Sequence, residues 1–112
     1  MNGTEPSISL ALIAKNEARC LARCLRSVVN TVHEIVVVDT GSTDATAAVA
    51  RESGAKVFTF AWIDDFSAAR NFALERTSTD WILVLDADEW ASEALAAEIR
   101  GFVKGGQRVG RL

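Results

Sequence analysis

Apolar positions along the chain alternate between two periods. Ile8 to Ile13 is a short, nearly continuous apolar run, as in a strand buried within a sheet. From Glu17 the apolar residues Leu21, Cys24, Leu25, Val28 and Val32 recur at helical spacing, with Asn16 as the expected N-cap and Glu17 in the first turn, where a negative charge suits the helix dipole. Glu34 to Val38 is β-branched and ends at Asp39, giving a second strand and then the turn Thr40-Gly41-Ser42-Thr43. Asp44 to Ser53 is Ala-rich and helix-compatible, and Gly54 is placed to stop it before a third strand over Lys56 to Phe60. After the loop Ala61 to Phe66, Ser67 is the expected N-cap of a helix with Ala69, Phe72 and Ala73 on its inner face. Trp81 to Leu85 predicts a fourth strand. A last helix carries Leu95, Ile99, Phe102 and Val103 on one stripe and runs to Gly105-Gly106.

Strands alternating with helices predict an α/β fold, a Rossmann-like parallel sheet of about four strands with right-handed crossovers. In such sheets ligands bind beyond the carboxyl ends of the strands, near a reversal of strand order. Three polar loops occupy that position: Lys15 to Glu17, Asp39 to Asp44 and Asp86 to Glu89.

Composition narrows the choice of partner. The 112 residues carry a net charge of -3, and the basic residues are dispersed among acidic ones, so no nucleic-acid partner is expected. The longest apolar runs are too short to span a bilayer, and no basic region precedes an apolar stretch at the N-terminus, which together predict a cytoplasmic protein. Cys20 and Cys24 fall on one helix face and read as small buried residues; a metal site joining them to His33 is the weaker alternative, because no second Cys/His pair exists.

Asp86 and Asp88 flank a small residue at the end of a buried strand, a donor set that suits Mg²⁺ or Mn²⁺ with water and phosphate filling the remaining positions. Standing alone, the same tripeptide is as well explained by solvated carboxylates capping the last helix. Asp39 is placed to accept from a base N–H or a ribose hydroxyl, or to serve as a turn residue. Gly41 permits close backbone approach to a ligand or only makes the turn. The loop after the first strand has no glycine, which removes the dinucleotide fingerprint, and no phosphate-loop pattern ending Gly-Lys-Ser/Thr occurs. An aspartyl-nucleophile phosphatase also places Asp-x-Asp after a strand, but little sequence follows here to supply its other parts.

Taken in order, SLALIAKNEARCLARCLRSV, EIVVVDTGSTDAT, AKVFTFAWIDDFSAARNFALE and DWILVLDADE resemble the family 2 glycosyltransferases. The third segment is similar to a bacterial branch often fused to tetratricopeptide repeats. The resemblance, running from about Ser7 to about Glu93, implies the nucleotide-binding half of a GT-A fold and a nucleotide-sugar donor, commonly a UDP-sugar. It implies that Asp39 contacts the nucleoside, that Asp86 and Asp88 are the Asp-x-Asp whose last carboxylate ligates the metal, and that Lys15, Asn16 and Glu17 lie beside the nucleotide. It also places Arg70 facing phosphate or ribose oxygens. Asp64, Asp65 and Asn71 are further, more remote candidates.

The same family generally takes its catalytic base from a segment well after the Asp-x-Asp. The expectation is therefore one truncated domain over residues 1–112, with a core over about 7–104, a flexible tail over 105–112 and no assigned catalytic residue. Glu89, nearest by sequence, sits in the metal loop rather than on the acceptor side. Metal-dependent glycosyl transfer leads, with a non-catalytic nucleotide-sugar-binding module and a non-functional remnant as alternatives. The apolar fourth strand is expected to be an edge through which the chain associates with itself or another chain.

Overall fold

The computed structural model describes residues 7–104, with side chains as far as Gly101. The expected elements form in the expected order: β1 (Ile8–Ala14), α1 (Ala18–Val28), β2 (Glu34–Asp39), α2 (Thr46–Glu52), β3 (Lys56–Thr59), α3 (Phe66–Glu75), β4 (Trp81–Val84) and α4 (Glu93–Lys104). All pairings are parallel, in the order β3-β2-β1-β4.

Period-two alternation sorts the side chains between two faces. Leu10, Leu12 and Ala14 of β1 and Ile35 and Val37 of β2 pack against Leu21, Cys24, Leu25 and Val28 of α1, with Ala50 of α2 and Ile99 of α4 in the same cluster. Ala11, Val36 and Val38 face the other way, with Ile13 and Phe58, onto Ala73, Phe72 and Leu74 of α3. The four α1 residues are at most 1 % exposed, and each such burial contributes about 1.5–3 kcal/mol. The core therefore lies mainly between the sheet and α1, and among the described residues α3 is the helix that covers the opposite face.

Several local details differ from the sequence expectation. Asn16 is not an N-cap: Glu17 holds that position without a side-chain cap bond, and Asn16 has a left-handed backbone at φ 55°. The cap of α3 is Asp65, whose carboxylate accepts from Ala68 N, rather than Ser67. In α4, Ala96 and Ile99 are buried while Leu95 is exposed, so the inner stripe is shifted by one residue at its start. Phe102 and Val103 fall beyond the described side chains, and the proposed tail beyond the described residues. Gly54 does close α2, at φ 89°.

At the amino end of the sheet, Glu34 gathers groups from three other segments. Its carboxylate accepts from Ser9 Oγ at 2.7 Å, Lys56 Nζ at 2.7 Å, and the backbone N–H and hydroxyl of Ser78 at 2.9 and 3.2 Å. The bond from Lys56, followed by that from Ser9, pulls the carboxyl down to about 2. His33 is also structural, its Nδ1 accepting from Ile8 N at 3.0 Å, which puts the proton of the neutral ring on Nε2.

Candidate functional site

The chain steps from β1 outward to β2 and β3, then returns across β1 to β4, so strand order reverses between β1 and β4. The helices obey the same reversal, with α1 and α2 on one face and α3 on the other. At this reversal a small cleft of about 40 Å³ runs between the β1 segment Ala11–Ile13, α3 and the end of β4. Phe66, Arg70 and Asp86 line it. It thus has along its wall an arginine and an aspartate sixteen positions apart in sequence. Arg70 is held over the Phe66 ring at 4.9 Å, a cation–π contact that limits its rotamers.

The loops after β1 and β2 are bonded into one unit. Asn16 N–H donates to Ser42 Oγ at 2.9 Å, and Asn16 Oδ1 accepts from the backbone and hydroxyl of Thr43 at 2.8 and 3.3 Å. Glu17 N–H donates to Thr46 Oγ1 at 2.9 Å, and Ala18 N–H to Asp44 Oδ2 at 3.3 Å. Asp44 also accepts from the Thr46 backbone at 2.9 Å and from its hydroxyl; the hydroxyl bond is the leading cause holding the Asp44 carboxyl below its ordinary range.

Asp39 fills the turn role considered from sequence. Its Oδ1 accepts from Gly41 N at 3.0 Å and Ser42 N at 2.8 Å, which shapes the turn, while Oδ2 takes no hydrogen bond among the described residues. Gly41 adopts φ 117°, and a Cβ there would meet nothing within 4 Å, so backbone conformation rather than space accounts for the glycine.

Lys15 is exposed directly after β1. Glu17 accepts from the Cys20 thiol at 3.0 Å, and this bond is the largest cause raising that thiol. Asp86 and Asp88 are exposed on either side of buried Ala87, and neither carboxylate has a hydrogen bond or ion pair among the described residues. Glu89 is engaged within the loop, its Oε1 accepting from Asp86 N at 2.7 Å. No group of three or more His, Cys, Asp or Glu side chains capable of caging a metal occurs among the described residues, so a cation here needs water and substrate oxygens.

The remoter candidates lie outside the cleft lining. Asp64 accepts from Trp62 Nε1 at 3.0 Å and has φ 59°, Asp65 caps α3, and Asn71 is exposed. Sequence reasoning did not find Phe66, whose ring supports Arg70; its place one turn before that arginine on a helix was the available signal. No helix among the described residues is long and apolar enough to cross a membrane.

With this geometry in view, the profile described as glycosyl transferase family 2 matches residues 9–107. A tetratricopeptide-repeat-containing protein of Synechococcus elongatus is 56% identical over 82 residues, covering 73% of this chain and 20% of that protein. TarS of S. aureus superposes with a TM-score of 0.77 at 21% identity, over 88% of this chain and 32% of that one, a likeness of fold. Glucosyl-3-phosphoglycerate synthase of Mycobacterium tuberculosis, solved with Mn²⁺ and UDP-glucose, gives a TM-score of 0.61 at 30% identity, over 74% of this chain and 33% of that one. The chain thus spans between a fifth and a third of the length of these proteins.

Proposed function

The chain belongs to glycosyl transferase family 2, and from that premise we propose that it binds the donor, a nucleoside diphosphate sugar, in an enzyme that transfers the sugar to an acceptor hydroxyl. The observation that carries this most directly is the cleft at the reversal of strand order, lined by both Arg70 and Asp86. A diphosphate brought there finds a fixed guanidinium for its oxygens. UDP is the proposed nucleotide, supported by the 30% identical mycobacterial synthase solved with UDP-glucose.

Asp39 would receive the nucleoside: Oδ1 is held by the turn, leaving Oδ2 to accept from a base N–H or ribose hydroxyl. Lys15, at the neighbouring strand end, adds positive charge for the diphosphate. Asn16 and Glu17 contribute indirectly, by bonding the loop after β1 to the loop after β2.

The residues fit a Mg²⁺ or Mn²⁺ ion, because Asp86 and Asp88 offer hard oxygen donors with no competing partner among the described residues. Bound there, the cation would act as a Lewis acid for the departing diphosphate. No general base is assigned, since Glu89 already accepts from its own loop.

Calorimetric titration with UDP, with and without Mn²⁺, tests this proposal, using Asp88→Ala as control. Mn²⁺-dependent binding lost in the variant supports it; a folded protein that binds UDP under neither condition overturns it. Binding without transfer or hydrolysis of the sugar would favour a binding module.

A further inference from the structure

Beside the donor cleft, one face of α1 grips the acidic loop. Ser27 Oγ accepts from Ala91 N at 2.9 Å while donating to Cys24 O at 2.6 Å. The Cys24 thiol donates to Asp86 O at 3.7 Å, and the Arg23 guanidinium lies 4.0 Å from the Trp90 ring centroid. Residues 23 and 27 are one turn apart, and 24 lies on the same side of the helix. Within the loop, Glu89 N–H donates to Asp86 O at 2.9 Å and the Glu89 carboxylate accepts from Asp86 N, closing the segment on itself.

The loop is therefore closed at 86 and 89 and fastened to α1 at 86, 90 and 91, with the carboxylates of Asp86 and Asp88 exposed from the fastened segment. Ala91 is buried, and an N–H there that loses its acceptor carries a desolvation cost that favours an opened loop. Two carboxylates that must serve one cation gain from being fixed before it arrives, because the ordering is then complete in the unbound protein.

We propose that Ser27 and Arg23 are positioning residues for the Asp86–Asp88 pair: through Ala91 and Trp90, α1 fixes the loop conformation from which these carboxylates serve a divalent cation bound with a nucleoside diphosphate. The part concerning the cation rests on the donor-binding function proposed above; the part concerning the loop does not.

The test compares Ser27→Ala, Ser27→Thr and Arg23→Ala with the unaltered chain by two readouts. The first is amide hydrogen exchange in peptides covering 85–92, against those from β1 and β2. The second is calorimetric UDP affinity with and without Mn²⁺. Ser27→Ala is expected to speed loop exchange about tenfold and weaken Mn²⁺-dependent UDP affinity about tenfold, the equivalent of one lost hydrogen bond. Exchange in β1 and β2 and any metal-free affinity remain unchanged, and Ser27→Thr, which keeps the hydroxyl, restores the loop.

Arg23→Ala removes only the exposed cation–π contact, leaves the fold intact should Ser27→Ala fail to fold, and is expected to give a change of roughly threefold. Unchanged loop exchange in folded Ser27→Ala and Arg23→Ala overturns the proposal. So does faster exchange with undiminished Mn²⁺-dependent affinity. An unaltered chain that binds no UDP overturns the donor-binding function and with it the role toward the cation; the exchange measurement then decides alone whether α1 holds the loop.

Discussion

Thr43 donates both its backbone N–H and its hydroxyl to Asn16 Oδ1, at 2.8 and 3.3 Å, across the ends of two adjacent strands. A residue selected as a nucleotide neighbour thus has its side-chain oxygen committed to the protein, and its backbone φ of 55° is one that asparagine tolerates better than most residues. Asn16→Ala is expected to lower stability by about 1–3 kcal/mol, and Asn16→Gly by less, because glycine removes the bonds without the backbone strain. Urea unfolding of both variants separates the two contributions; equal losses would show that the backbone conformation carries no cost.

Asp39→Asn retains an oxygen for the Gly41 and Ser42 N–H groups but replaces the second acceptor with a donor. The expected result is a thermal midpoint close to that of the unaltered chain with UDP affinity reduced about tenfold, near 1.4 kcal/mol. Asp39→Ala should reduce both. A parallel loss of stability in the two variants would assign the carboxylate to the turn alone.

Glu34 supplies a pH dependence with a definite sign. Its folded carboxyl lies at about 2, well below the ordinary carboxylate value, through the bonds from Lys56 and Ser9. Its contribution is therefore fully present above the unfolded value and is lost as pH falls from about 5 toward 2. Glu34→Gln should cost about 1–3 kcal/mol at pH 7 and progressively less in that acid window. Chemical denaturation across pH checks this, and a pH-independent difference would exclude the ionised carboxylate as the source.

The two thiols should differ in reactivity. Burial, the largest cause, pushes Cys24 up to about 12, while Cys20 is only partly buried and raised chiefly by its bond to Glu17. Iodoacetamide at pH 8, followed by mass spectrometry, should label Cys20 slowly and Cys24 only under denaturing conditions. Comparable labelling of both in the folded protein would contradict the packing of α1.

Among the described residues β4 pairs only with β1 and forms one edge of the sheet. An apolar edge strand is a template for pairing, so sedimentation velocity should show association that increases with concentration. A clean monomer at high concentration would show that the edge is otherwise protected.

The sequence by itself determined the order and identity of the elements, because buried strands and amphipathic helices leave different periods in the apolar residues. It also located the polar loops at the strand ends, and its ordered motifs agree with the family whose profile matches residues 9–107. Only the tertiary structure decided which polar groups remain available. Asp64, Asp65 and Glu89 are carboxylates like Asp86 and Asp88, but each has an oxygen that accepts from the protein, as do the Asn16 amide and one oxygen of Asp39, whereas those of Asp86 and Asp88 accept from nothing among the described residues. The placing of Arg70 and Asp86 along one cleft and the gathering of Ser9, Lys56 and Ser78 around Glu34 were likewise invisible beforehand. The physical reason is range: helical and strand periods are set by neighbours a few positions away, whereas a hydrogen-bond partner 22 to 70 residues distant is fixed only when strand order and register bring the segments together.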